Sequence, residues 1–171
     1  MSGSIATEAS ALAGKYLTLV LGPAAYGIPV LKVREIIRFI TPTSVPQVPD
    51  YVKGVINLRG KIIPVVDLRL KLGIPVSETS TRTCIIVVQM GSATHAAKHM
   101  GMIVDGIEEV TQLSAGEIEF APSFAAGLDT DFILGMAKGR NTVKTLLNID
   151  TLLDAESINT TLSATLENNI R

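Results

Sequence analysis

At 171 residues the chain is long enough for one substantial core or two small, closely joined ones. The residues AVILMFWYC make up 47% of it and charged residues 18%, a globular balance far from that of disordered chains. The formal net charge of −1 supplies no basic field for nucleic acid or anionic lipid. No apolar run reaches the roughly 18 residues that suggest a membrane span.

Met1 to Gly14 is small and polar, with no basic residue ahead of its short apolar patch. It is a poor signal peptide, so residues 1–14 are expected to be a flexible N-terminus on a cytoplasmic protein. Lys15 to Leu21 carries strand formers, and Gly22-Pro23-Ala24-Ala25 breaks the run as a hairpin loop does. Tyr26 to Val33 resumes as a strand that continues through Glu35-Ile36-Ile37-Arg38. Simple alternation then places Val33 and Glu35 on one face, with Arg34 and Ile36 on the other. Pro42, Pro46 and Pro49 mark a loop, and Asp50 caps one turn at Tyr51 to Lys53.

Val55 to Leu58 and Lys61 to Val66 are apolar and β-branched, and Arg59-Gly60 joins them as a tight hairpin turn. Asp67 caps a short helix, Leu68 to Leu72, which Gly73 and Pro75 terminate. Cys84 is the only cysteine, which excludes an internal disulfide. It falls in the strand-like run Thr83 to Val88, where a small buried residue is the expected role.

The second half repeats this order. Tyr26 to Ile36 aligns without a gap on Met100 to Val110, and a proline region containing Pro122 follows. Tyr51-Val52-Lys53-Gly54 is echoed by Phe132-Ile133-Leu134-Gly135, and Val66 to Leu70 aligns on Ile149 to Leu153, pairing Asp67 with Asp150. Four landmarks kept in one order indicate internal duplication, each copy a small barrel of about five short strands. Beyond the repeat, Ile158, Leu162, Leu166 and Ile170 recur every four positions in residues 154–171, a weak C-terminal helix among Thr, Ser and Asn.

The chemical motifs fail when tested individually. Gly54 to Lys61 is a poor phosphate loop, because five residues separate its glycines and Ile62 stands where Ser or Thr would hold magnesium. His95 and His99 sit four apart in a loop expected between two strands, with no third zinc ligand beside them. Glu108 and Glu109 are neighbours on a strand and point to opposite faces, so they cannot act as a pair. No catalytic, metal or cofactor site emerges, and an unrelated small enzyme with a distributed site is the remote alternative.

The segment Gly54-Val55-Ile56-Asn57-Leu58-Arg59-Gly60-Lys61-Ile62-Ile63-Pro64-Val65-Val66-Asp67-Leu68 closely resembles the signature of the CheW family, the bacterial chemotaxis coupling proteins. Tyr26-Gly27-Ile28, Val33-Arg34-Glu35-Ile36, Pro46 with Pro49, Ile103 to Ile107 and Asn148-Ile149-Asp150 add to the match, which runs from about Lys15 to Leu153. The resemblance implies a mainly all-β chain of two SH3-like five-stranded barrels packed together. A CheW-like domain over 15–153 would then comprise two intertwined subdomains, about 15–80 and 81–153.

It further implies a non-enzymatic adaptor joining the cytoplasmic tips of chemoreceptors to the regulatory domain of the histidine kinase CheA. Pairing with other CheW-like subunits in rings is implied too, as is recruitment to the inner face of the membrane through receptor arrays. The alternative within the family is an adaptor of another chemosensory pathway, such as surface motility by twitching or gliding. At residue level the resemblance implies a kinase interface of Val33, Glu35 and Arg59 in one patch, with Phe124 from the second copy as a further anchor; a plug of its local core is the alternative for Phe124. Ile36, Leu58, Val104 and Ile107 are expected near a receptor-binding groove between the barrels, with ordinary core as the equal alternative.

Overall fold

The computed structural model describes residues 12–91, 98–119 and 132–153. Among the described residues eleven strands run in order: β1 Gly14–Leu21, β2 Ala24–Pro29, β3 Val33–Arg38, β4 Val52–Leu58, β5 Lys61–Asp67, β6 Cys84–Met90, β7 Lys98–Val104, β8 Gly106–Leu113, β9 Ile118–Glu119, β10 Ile133–Gly139 and β11 Thr142–Leu147. Two short helices follow equivalent hairpins, α1 Leu68–Lys71 after β5 and α2 Ile149–Leu153 after β11. Phe124, His95 and the 154–171 tail, each the subject of an expectation above, lie outside the described residues.

The strands form two sheets, of order β8-β1-β2-β11-β10-β9 and β3-β6-β7-β5-β4. Replacing each strand by its counterpart in the other copy turns one order into the other, apart from the extra two-residue β9. The duplication is therefore expressed as strand exchange. The β1–β2 hairpin of the first copy completes its sheet with strands of the second, and β6–β7 does the reverse. Two parallel seams join the copies, β5 to β7 through Val65–Gly101 and β2 to β11 through Leu146–Gly27.

Three apolar clusters follow from this layering. The largest lies between the sheets and draws Leu19, Leu21, Ile28 and Leu147 from one and Val66, Ile86, Val88, Met100 and Val104 from the other. Each sheet also wraps a smaller cluster on its outer side, one around Ile63, Val65, Ile85 and Val87, the other around Tyr16, Leu113, Ile118 and Leu146. Residues from both edge strands, β3 and β4, share the former, so that sheet curls as an SH3-like barrel does. Among the described residues, no pairing closes either sheet into a complete barrel. Cys84 is buried on the inter-sheet side, and burial pushes its thiol up from the ordinary value.

Besides the turn expected at Tyr51 to Lys53, where Val52 and Lys53 instead open β4, three local expectations need correction. The strand expected from Tyr26 through Arg38 is two strands in different sheets, separated by a 3-10 turn at Val30–Lys32. Pro29, lacking an N–H and fixed in φ, ends β2, and the turn carries the chain across to the second sheet. The shared face of Val33 and Glu35 is also lost. Val33 lies opposite Val88 and Glu35 opposite Val87, with the register shifting between them. A bulge of one residue moves every later side chain to the other face, so Val33 packs on the inter-sheet core while Glu35 faces outward with Val87.

The third correction concerns the second copy's cap. Asp67 N–H donates to Tyr51 O at 2.7 Å and Asn148 N–H donates to Phe132 O at 2.7 Å, so Asn148, not Asp150, is the counterpart of Asp67. Asp67 Oδ1 accepts from Arg69 N–H, and Asn148 Oδ1 accepts from Thr151 N–H, the same capping role in each copy. Asp150 lies two residues beyond the true counterpart, and it resembles Asp67 in sequence only because both stretches carry an Asp near a Leu.

Arg69, on α1, is buried and organises the junction between the copies. Its guanidinium grips Asp67 through Nε at 3.0 Å and Nη2 at 2.9 Å, and reaches Asp105 with Nη1 at 2.8 Å. Asp105 also accepts from Gly22 N–H at 2.7 Å and from Ser77 Oγ at 2.9 Å. Burial pushes the Asp105 carboxyl up, but the Gly22 amide, the Ser77 hydroxyl and the Arg69 guanidinium together hold it below its ordinary value.

Two predictions follow from these contacts. Gly54 has φ +135°, and an added Cβ would lie 1.8 Å from Thr43 O, inside the bridge that fastens the proline loop to β4. Gly54→Ala is expected to destabilise the fold by about 3 kcal/mol or more, measured by urea denaturation. Because the folded Asp105 carboxyl sits below its unfolded value of about 3.9, its contribution is complete above that pH and lost as pH falls through the depressed value. Asp105→Asn should lower stability near neutrality and flatten the acid limb of a stability–pH profile; an unchanged acid limb would refute that account.

Candidate functional site

The β4–β5 hairpin turns through Arg59 at φ +51° and Gly60 at φ +85°, both left-handed, as a two-residue connection between twisted strands requires. Asn57 Oδ1 accepts from Gly60 N–H at 2.8 Å and braces the turn. Glycine carries the second left-handed position without cost, while Arg59 takes the first and projects its side chain from the tip.

That side chain folds over onto Glu35 of the edge strand β3. Arg59 Nη1 donates to Glu35 Oε2 at 3.2 Å and Nη2 donates to Oε1, a two-pronged fork joining hairpin to edge. The Arg59 side chain is 72% exposed and that of Glu35 28%, so the pair stands on the surface. Hydrogen bonding to Arg59 holds the Glu35 carboxyl below its ordinary value, and Glu35 in turn raises the guanidinium. An exposed fork of this kind contributes little to stability and mainly orients its groups.

The fork walls a surface concavity of about 390 Å³. Leu58, Ile63 and Val87 give it an apolar floor over the outer cluster, and Arg34, Lys61 and His99 stand around it. Burial lowers the His99 pKa, and the Arg34 and Lys61 charges lower it further against the opposing pull of Glu35. Both effects favour the neutral imidazole, and Arg34, Arg59 and Lys61 stand at the rim against the single Glu35 carboxylate.

The structure brings together only part of the expected site. Glu35 and Arg59 meet, with Leu58 beneath them rather than in a groove between the sheets. Val33 lies on the opposite face of the sheet, so the three-residue patch reduces to two. Val104 is fully buried in the inter-sheet core and Ile107 half-buried against it, whereas Ile36 is 45% exposed at the edge. Those residues and Leu58 therefore do not form one continuous groove.

Arg34, Lys61 and His99 were not recognised from the sequence as parts of this site. Arg34 reaches it because it is the bulged residue of β3, which strict alternation had assigned to the other face. His99 belongs to β7, opposite Gln89, rather than to a loop insertion. The one sequence signal for Lys61 was its place directly after the Arg59-Gly60 turn.

With this geometry in hand, known proteins provide a comparison. A family model described as the CheW-like domain matches residues 15–157. A chemotaxis protein CheW of Klebsiella aerogenes is 36% identical over 144 residues, 84% of this chain and 84% of that protein. One from Bacillus subtilis is 35% identical over 144 residues, 84% of this chain and 88% of its own. Among solved structures, the scaffolding protein TtCheW from Thermoanaerobacter tengcongensis superposes with a TM-score of 0.72 at 31% identity, covering 82% of this chain and 92% of that one.

The exposed fork yields a direct test. Arg59→Ala is expected to leave the melting temperature within a few degrees of the parent, because both partners face solvent. Thermal denaturation checks it, and a collapse of folding would make Arg59 structural.

Proposed function

The chain belongs to the CheW family of adaptor proteins, and from that membership we propose that it couples chemoreceptors to a CheA-type histidine kinase in chemotaxis signalling. The observation that carries this reading is the Arg59–Glu35 fork, held at the surface by the hairpin that bears the family signature. An ion pair so exposed adds little to folding, whereas a pre-oriented guanidinium and carboxylate offer directional contacts to another protein.

In this reading the kinase's regulatory domain docks on the β3 edge and the β4–β5 hairpin, with Phe124 of the second copy as a further anchor. Receptor tips bind elsewhere on the domain spanning 15–153, and other CheW-like subunits pair with it in rings. The adaptor works from the cytoplasm and is drawn to the inner membrane face by its receptors. Several modest contacts, linked in an array, supply high effective concentration and a lattice that can still be remodelled. Catalysis has no part in it, because positioning of partners is the whole task.

Isothermal titration of the purified chain with a cognate CheA regulatory domain tests the proposal. Binding is expected, weakened in Arg59→Ala with no loss of fold. No association with any cognate CheA would overturn it.

A further inference from the structure

Strand exchange places a counterpart of the Arg59 concavity on the second copy, and the two have diverged in charge. The counterpart, of about 420 Å³, lies beside the β10–β11 hairpin and includes Ala25, Glu108, Thr142 and Lys144. The seam pairs Val65–Gly101 and Leu146–Gly27 fix the equivalences. By them Arg34 corresponds to Glu108, His99 to Ala25, Lys61 to Thr142, and Ile63 to Lys144.

In the second copy the charges cancel locally, since Lys144 Nζ binds Glu108 at 3.0 Å. In the first copy Glu35 is already engaged by Arg59. Arg34 and Lys61, both exposed, have no acidic partner among the described residues. Two uncompensated cations thus flank an apolar floor of Leu58, Ile63 and Val87.

We propose that the first-copy concavity is a docking site for an acidic segment of a partner protein, with Arg34 and Lys61 each receiving a carboxylate, and that its second-copy counterpart has lost this specificity. Apolar side chains of the segment sit on the floor, where desolvation strengthens the flanking charge pairs. The recess favours a protein segment over a membrane, because a flat anionic bilayer does not reach the apolar floor, and the chain's net charge of −1 supplies no general attraction to lipid. The proposal rests on the adaptor reading only in taking the partner to be a protein.

The test uses the full chain and its Arg34→Glu/Lys61→Glu variant, whose substitutions are both at exposed positions. A hexaglutamate peptide titrated into isotopically labelled protein should shift the amide resonances of residues 34, 58, 61 and 99 and leave those of residues 25, 142 and 144 in place. The variant should bind the peptide roughly tenfold more weakly, and added salt should weaken parental binding. Equal shifts with hexalysine, equal shifts at the second-copy positions, or undiminished binding by the variant would each overturn the proposal. So would parental binding to phosphatidylglycerol vesicles in the absence of any response to the peptide.

Titration with the kinase regulatory domain separates this proposal from the adaptor reading. Kinase binding that ignores both the charge reversal and salt sinks the acidic-segment proposal alone. A complete absence of kinase binding sinks the adaptor reading, while the peptide result still decides the concavity.

Discussion

The two parallel seams, β5 against β7 and β2 against β11, are the contacts on which the remaining structure depends. Each of them joins the two hairpins of its sheet, which alone are marginal in water, while antiparallel pairing of β1 with β8 and of β3 with β6 adds the remaining strand contributed across the copies. Each seam carries a glycine with little room beside it. A Cβ on Gly27 would meet Leu146 Cδ2 across its seam at 2.8 Å, and one on Gly101 would meet Ile85 Cγ2 of the adjoining β6 at 2.8 Å and Val65 Cγ2 across the seam at 3.4 Å. The inter-sheet core then fills the space between the joined halves with aliphatic side chains from both copies. Neither copy keeps a core of its own, and hydrophobic burial and strand pairing become one cooperative event.

Ion pairs cross between the copies at nearly equivalent places, one residue apart at the bend, with opposite polarity. Arg69 on α1 reaches Asp105 between β7 and β8, and Asp150 on α2 reaches Lys32 between β2 and β3 at 2.6 Å. The first is buried and shared with Asp67, so its worth lies in fixing one arrangement of helix, turn and bend. The second is partly exposed and contributes less. Backbone geometry has been conserved between the copies while the side chains have diverged. The same divergence appears at the surface, where one concavity is cationic and its counterpart is locally neutralised.

That combination suits an adaptor. The rigid scaffold is supplied by backbone pairing and apolar packing, which leaves the surface free to vary. Arg59 and Glu35 illustrate the division, since a turn and an edge strand, both set by the sheet, hold a charged pair whose own bond carries little of the fold. Substitutions there are free to alter the surface without touching the core.

The sequence by itself determined the strand-rich character, the Arg59-Gly60 turn, the Asp67 cap and the existence of a duplication, because each rests on local chemistry a few residues long. The family resemblance also singled out Arg59, within the Gly54–Leu68 signature, and Glu35, within the Val33–Ile36 match, and the two do meet. Only the tertiary structure decided that the copies exchange strands, that Val33 and Glu35 part company, and that Arg34, Lys61 and His99 gather at one rim. It alone revealed Arg69 bound to Asp105 across 36 positions of sequence. The physical reason is common to all of these. A strand's pattern says which residues alternate, but its partner and any bulge in the pairing decide which face each residue reaches, and both are set by distant parts of the chain.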